Sequence, residues 1–259
     1  MSPDPIPYDA PVVERGFGFF ETLLLVGRRV VLWEAHLRRL LTTLEALELP
    51  APSGDAVESA SRAALAGIAD GSDERSLRLS WIAIGHDVEE MASWRLDASV
   101  RVIPPNTLAR RAGSRAMTAP DRFRRDSSGF KSTSYFGAVA ALRHARRAGC
   151  DEALFRDVEV YVEGSSTALV AWNGGRLAGL GPGGLPSVTA EAFLEGAGER
   201  RGVGREELLA GSFLLGSLTT AAPILSLDGE ECARPPAMLR AIEAFRERLR
   251  TDAALQKPL

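Results

Sequence analysis

Two residues near the middle of the chain have the types and the setting for carbonyl chemistry, Lys131 and Glu163, and residues 129–167 around them organise the reading of the sequence. The chain holds 31 basic residues, of which only Lys131 and Lys257 are lysines. A sequence that meets its need for surface charge with arginine, yet keeps a lysine behind the apolar Phe130, points to a use for the amine itself. Arginine stays protonated near neutral pH, whereas a partly desolvated lysine can release its proton, and only the free amine condenses with a carbonyl. A surface lysine left by chance is the alternative. Glu163 precedes Gly164-Ser165-Ser166-Thr167 at the end of an apolar run. A helix followed by a returning strand would bring it towards Lys131, and a strand-end ion pair is its other possible use.

The chain that must position these groups has 259 residues, long enough for about two domains. Its 45% hydrophobic and 25% charged content is that of a soluble globular protein. The net charge of −3, with arginines interspersed among acids, supplies no field to attract nucleic acid or an acidic membrane. No apolar run approaches the ~18 residues that span a bilayer. Two distant cysteines, Cys150 and Cys232, and no signal-like start lead to the expectation of reduced thiols in a cytoplasmic protein. His36, His86 and His144 lack metal-ligand spacing, and no Ser-His-Asp arrangement is readable.

The first half reads as α+β. Residues 1–13, with four prolines, are expected to form an extended lead-in. Strands flank the turn Val26-Gly27-Arg28, helices cover 34–49 and 55–69, and further strands lie at 77–84 and 98–103. Domain boundaries are expected as a small N-terminal domain over 1–106, an arginine-rich linker over 107–118 and a larger domain over 119–259. In the second half a helix spans 136–148 with Gly149 as its C-cap, and short strands lie at 153–156 and 158–162. A hairpin turns at Asn173-Gly174-Gly175, helices follow at 189–201 and 206–210, and strands lie within 211–218 and at 224–227. An amphipathic helix over 237–250 closes the chain.

Short motifs in a fixed order then carry a resemblance. They are His36-x-x-Arg39-Leu40, Lys131, Glu163-Gly-Ser-Ser-Thr, Leu185-Pro-Ser-Val-Thr189, Gly216-Ser217 with Pro223-Ile, and Leu227-Asp-Gly229. Over nearly the whole chain this set resembles the class IV aminotransferases, enzymes of fold type IV that use pyridoxal 5'-phosphate. The resemblance implies a two-domain α+β / α/β fold of the D-amino-acid-transaminase kind, with the cofactor in the cleft between the domains and a homodimer as the usual assembly. It implies that Lys131 forms the Schiff base with the cofactor aldehyde and shuttles the proton at the substrate carbon. Glu163 would keep the pyridine nitrogen protonated. The phosphate would be held by Val188 and Thr189 at a helix N-terminus, by Ser217 and the Leu218 N–H in a second turn, and by Arg39. Arg39 competes with a solvated helix-face reading beside Arg38. Tyr135 would lie near the cofactor's phenolic oxygen.

These groups permit transamination and elimination alike, and the choice lies with whatever binds the rest of a small amino substrate. D-amino-acid transaminases place a tyrosine where this chain has Phe20, and an arginine on the strand around residues 80–83, where none stands here. Ala190 and Ala168 also depart from the family's usual residues. Lys131-Ser-Thr-Ser-Tyr135 with the following Ala-Val-Ala-Ala-Leu, and residues 216–229, resemble aminodeoxychorismate lyases. The expectation is a lyase making 4-aminobenzoate and pyruvate for folate precursor synthesis. A transaminase of D-amino or branched-chain amino acids, and a non-catalytic binding protein that keeps the fold, are the alternatives.

Overall fold

The computed structural model describes residues 5–85, 93–123 and 129–259. The chain divides into two compact units, Met1–Ile103 with Phe130–Tyr135 and Ala253–Leu259, and Pro104–Gly129 with Phe136–Asp252. The segment that carries Lys131 therefore folds with the N-terminal unit, although a division at one linker would assign it to the second. The reason is local. Phe130 packs against a cluster built on Phe19, Leu40 and Leu44, and the backbone beyond it hydrogen-bonds to the first strand.

In the first unit α1 (Pro11–Arg15) is a single turn begun by proline, where an extended lead-in was expected. Strands β1 (Gly18–Val26), β2 (Arg29–Val31), β3 (Glu74–Ala83) and β4 (Trp94–Val102) form an antiparallel sheet. The C-terminal strand Gln256–Pro258 adds to β2 at its edge. The register sets Phe20 opposite Ser80 and Thr22 opposite Arg78. Because side chains alternate across a sheet, Leu23, Leu25, Leu77 and Leu79 share one face. They make the core with Trp33 of α2 (Trp33–Ala46) and Val57 of α3 (Gly54–Ala64). Ser53 caps α3 by accepting from the Ala56 N–H at 3.2 Å.

The second unit is built on a nine-stranded mixed sheet. Helix α4 (Pro105–Ala109), a 3-10 turn (Arg110–Ala112) and β5 (Ser114–Thr118) occupy the stretch expected to be a linker. That expectation is corrected: β5 lies inside the sheet, parallel to both of its neighbours, with Ser114 and Ala116 fully buried. Its charged lead-in looked solvated only because the partners of its arginines lie far along the chain. After α5 (Phe136–Arg147) come β6 (Glu152–Asp157), β7 (Val160–Gly164), β8 (Ala168–Asn173) and β9 (Arg176–Leu180). Helix α6 (Val188–Leu194) stops a full turn and more before the expected end at 201. Glu195, Gly196 and Gly198 all take positive φ, a conformation that glycine adopts without steric cost and that a helix cannot continue through. Residues 199–201 instead form β10 (Glu199–Arg201), paired parallel to β9.

Helix α7 (Arg205–Ala210), β11 (Ser212–Gly216) and β12 (Thr220–Leu227) follow, with β13 (Glu230–Glu231) paired to β12. Helix α8 (Pro236–Thr251) buries Met238, Ile242, Phe245 and Leu249 at helical spacing. Strands run in the order β10-β9-β8-β11-β12-β5-β6-β7, and Glu163 pairs with Ala168 so that β7 also meets β8. Six strands thus close on themselves, which removes their free edges. Ala116, Leu154, Leu169, Leu214, Ile224 and Leu227 fill the core of this unit.

Candidate active site

Arg39, Lys131 and Tyr135 belong to the first unit, while Glu163, Val188, Thr189, Ser217 and Leu218 belong to the second. In the first unit the backbone of the lysine segment is stitched to β1. The Phe20 N–H donates to the Lys131 carbonyl at 2.9 Å, and the Thr133 N–H donates to the Gly18 carbonyl at 2.7 Å. The Thr133 hydroxyl donates to the Gly16 carbonyl at 2.5 Å. Gly18 permits this approach, since a Cβ there would stand 2.9 Å from Ile82 Cγ2 and 3.2 Å from the Thr133 hydroxyl. With its backbone fixed, Lys131 places Nζ 4.8 Å from the centroid of the Phe20 ring and 5.7 Å from that of Tyr135. The Phe20 and Tyr135 rings meet edge to face at 5.4 Å. Lys257, the other lysine, is an ordinary ion-pair residue, with Nζ 2.7 Å from Glu58 and 3.5 Å from Glu34.

Arg39 is turned inward while Arg38 is exposed, which settles which of the two has a built environment. Its Nε and Nη2 donate to the Glu21 carboxylate at 2.8 and 2.5 Å, and His36 Nδ1 lies 2.7 Å from Glu21 Oε2. Burial would raise the Glu21 carboxyl. The Arg39 charge and the hydrogen bonds from His36 and Arg39 outweigh it and hold the pKa down at about 2. His36 is fully buried, and desolvation lowers its pKa against the pull of Glu21, with Arg39 and Lys131 adding to the lowering. Glu21 went unremarked in the sequence, although a carboxylate within Phe-Phe-Glu-Thr-Leu on the strand preceding His36-x-x-Arg39 is a readable signal.

The sign of the resulting pH dependence follows from both groups. Glu21 binds its proton less tightly when folded, so its contribution to stability is present above the unfolded value near 4.5 and is lost as pH falls through about 2. His36, also lowered, opposes folding as pH falls below its unfolded value. The difference in unfolding free energy between wild type and Glu21→Gln should therefore shrink between about pH 4.5 and 2. Urea melts at several pH values measure it, and a constant difference would refute the assignment.

Arg78 is a residue that sequence reading overlooked. It stands on β3 two positions before the stretch 80–83 where an arginine was sought, and its guanidinium carbon lies 3.8 Å from the centroid of the Phe20 ring. Burial lowers its pKa, as does the charge of Arg101. Among the described residues no carboxylate pairs with Arg78. The Phe20 ring that lies under Lys131 Nζ thus also carries an arginine that pairs with no carboxylate among the described residues.

In the second unit Glu163 is 5% exposed, and its Oε2 accepts the Leu185 N–H at 2.9 Å. The turn after it is held from below by Glu152, which is fully buried and was likewise missed. Glu152 accepts from the Ser165 N–H at 3.1 Å, from the Thr167 hydroxyl at 2.9 Å, from the Ser165 hydroxyl and from Arg110 Nη2 at 2.5 Å. Gly164 is required here, because a Cβ would collide with the Thr167 hydroxyl and stand 3.1 Å from Glu152 Cδ. Val188 and Thr189 are buried at the start of α6, as expected. The cap is Ser187, whose hydroxyl accepts from the Ala190 N–H at 3.3 Å. Ser217 and Leu218 lie in the three-residue turn between β11 and β12. A Cβ on the adjacent Gly216 would stand 3.5 Å from the Ser166 carbonyl and 3.6 Å from Thr167 Cγ2, so this turn neighbours the one that follows Glu163.

Among the described residues no His, Cys, Asp and Glu cluster fits a metal ion, and His86 lies outside them. Cys150 and Cys232 are free thiols. No described helix is long and apolar enough to cross a membrane.

The fold is that of fold-type IV transaminases. A branched-chain aminotransferase from Thermoproteus uzoniensis, at 21% identity, superimposes with a TM-score of 0.83 over 98% of this chain and 94% of its own. A hypothetical aminotransferase from Mycobacterium tuberculosis, solved in its apo form, gives a TM-score of 0.84 at 27% identity over 97% and 95% of the two chains. The same protein in its form bound to pyridoxal phosphate gives 0.81. Residues 18–227 match the family model for amino-transferase class IV. A curated relative from Mycobacterium tuberculosis, described as a bifunctional aminodeoxychorismate lyase and D-amino acid transaminase, is 32% identical over 86% of each chain. The chain belongs to the class IV aminotransferase family, and so to the enzymes that depend on pyridoxal phosphate.

Proposed function

We propose that the enzyme is a pyridoxal-phosphate-dependent lyase that converts aminodeoxychorismate to 4-aminobenzoate and pyruvate. The observation that carries this reading is the Phe20 ring with Lys131 on it and beside it Arg78, which no carboxylate among the described residues pairs with. It sets an amine for carbonyl chemistry within a small molecule's length of a cation for a substrate carboxylate. The 32% identical relative bears that activity in its description, together with D-amino acid transamination, which is the second reading.

The donor set suits the cofactor: an amine on aromatic rings, a buried carboxylate that accepts the Leu185 N–H, and polar turns next to one another. Lys131 would attach it and carry the substrate proton, and Glu163 would hold a proton on its pyridine nitrogen. Arg39, Val188, Thr189, Ser217 and the Leu218 N–H would take its phosphate, and Tyr135 would lie by its phenolic oxygen. When bound, the cofactor supplies an electron sink for the bond broken at the substrate carbon. Lys131 then removes the proton at the carbon bearing the amine, and loss of the enolpyruvyl group as pyruvate leaves the ring aromatic. We place this step in the cytoplasm, as part of folate precursor synthesis, and the enzyme as a homodimer, which size-exclusion chromatography tests directly.

The deciding experiment incubates purified holoenzyme with aminodeoxychorismate, and separately with D-alanine or leucine and 2-oxoglutarate. Pyruvate and 4-aminobenzoate in equal amounts support the lyase. Amino-group exchange without elimination rejects it in favour of transamination. Arg78→Met should raise the KM for a carboxylate substrate by about tenfold or more, the scale of a lost charge-assisted hydrogen bond, while leaving cofactor affinity unchanged. An unchanged KM would remove Arg78 from the substrate site.

A further inference from the structure

The adjacent arginines of the 3-10 turn, Arg110 and Arg111, reach different parts of the second unit. Arg110 ends on Glu152, under the turn that follows Glu163. Arg111 ends on the β11–β12 turn, where its Nε and Nη2 both donate to the Leu218 carbonyl, at 3.0 and 2.6 Å. Leu218 is the middle residue of that turn, and the next strand begins at Thr220 with φ +61, a conformation that β-branched side chains disfavour. A turn with such strain keeps its shape only when its surroundings fix it. Arg111 is itself fixed: its carbonyl accepts from Arg246 Nη2, and Arg246 Nε donates to the Ala221 carbonyl on β12 at 2.9 Å. Helix α8, the 3-10 turn and the hairpin are thereby cross-braced.

We propose that Arg111 is a positioning residue for the cofactor's phosphate, acting through the orientation of the Leu218–Thr219 peptide. The inference rests on the reading of Ser217 and Leu218 as phosphate-binding residues, and it adds the Thr219 N–H to that set. A trans peptide points its carbonyl and the following N–H in opposite directions. Two donors on the Leu218 carbonyl therefore hold that oxygen towards Arg111 and hold the Thr219 N–H away from it. Without them the peptide is free to flip, and a flipped peptide exchanges an N–H for a carbonyl oxygen on the side away from Arg111. An N–H favours a phosphate there and a carbonyl repels it, so the effect of Arg111 falls on the phosphate and not on the aldehyde end of the cofactor.

Absorbance titration of the full-length apoprotein with pyridoxal phosphate, and separately with pyridoxal, distinguishes these possibilities. Pyridoxal keeps the aldehyde that joins lysine and lacks the phosphate. Wild type should bind pyridoxal phosphate far more tightly; failure to do so overturns the reading of the site and this inference with it. In Arg111→Met the affinity for pyridoxal phosphate should fall on the order of tenfold, as for a lost charge-assisted hydrogen bond, with that for pyridoxal within about twofold of wild type. Arg111→Lys, which keeps the charge and fewer donors, should fall between, and it carries the comparison if the methionine variant does not fold. Arg115→Met, which removes an exposed arginine paired with Asp151, serves as the control. If wild type binds as expected and Arg111→Met retains full affinity, or loses equal affinity for both ligands, the positioning role is wrong while the cofactor reading stands.

Discussion

Lys131→Ala is expected to bind no cofactor covalently and to lose at least about a thousandfold in kcat, because one substitution removes the amine to which both the cofactor attachment and the proton transfer are assigned in the proposal. The fold should survive. The segment is held by the Lys131 carbonyl, by Thr133 and by Phe130, all of which remain, while the lost side chain contributes a contact with Phe20. The melting temperature should move by no more than a few degrees, as for the loss of about 0.5–1 kcal/mol. Borohydride reduction of the holoenzyme followed by peptide mass mapping gives the reading. Label is expected on Lys131 in wild type and on neither lysine in the variant. Lys257 is a clean internal comparison, since its ion pairs with Glu58 and Glu34 raise its pKa and keep it protonated. Label that persists in the variant would show that another amine carries the cofactor, and the central assignment would fail.

The local elements were readable because their causes are local. The apolar run of β1, the helical spacing of Leu37, Leu40 and Leu44 in α2, and the Asn173-Gly174-Gly175 turn act within a few residues, and each stands where expected. Pairings that join distant residues were not readable. Arg110 and Arg111 looked like linker charge because Glu152 and the Leu218 carbonyl lie 42 and 107 residues away. A shorter separation, 13 and 15 residues, hid Glu152, which receives the hydroxyl groups of Ser165 and Thr167 from the motif after Glu163. The early end of α6 is a different case. Gly196 and Gly198 were visible, but the apolar spacing was carried through them, whereas their positive φ ends the helix. On the substrate side, an arginine was sought by position along β3. Its function depends on where the guanidinium ends, and the stacking of Arg78 on Phe20 is a cross-strand relation that no spacing along one strand reveals.

Glu163→Gln should lower kcat by roughly 10- to 1000-fold, with the loss growing as pH rises. The substitution keeps size and shape, and an amide oxygen can still accept the Leu185 N–H. What it removes is a negative charge at a site only 5% exposed, where neighbouring charge is weakly screened. A carboxylate close to a titrating nitrogen raises the nitrogen's pKa by about 1–3 units, so its removal costs about 10- to 1000-fold in the protonated form wherever pH exceeds that pKa. Lowering the pH restores the proton without the carboxylate. The ratio of wild-type to variant kcat should therefore fall towards one as the assay pH is lowered, over the range in which Glu163 itself stays ionised. Affinity for the cofactor should change much less, because the amine and the phosphate ligands are untouched. Two alternatives predict something else. If Glu163 serves as a strand-end structural acid, the variant loses stability and its residual activity keeps a constant ratio at every pH. If it held the substrate, KM would rise while kcat stayed level. Steady-state kinetics across the pH range, with a thermal melt of each protein, therefore decide whether this carboxylate sets the proton on the cofactor ring.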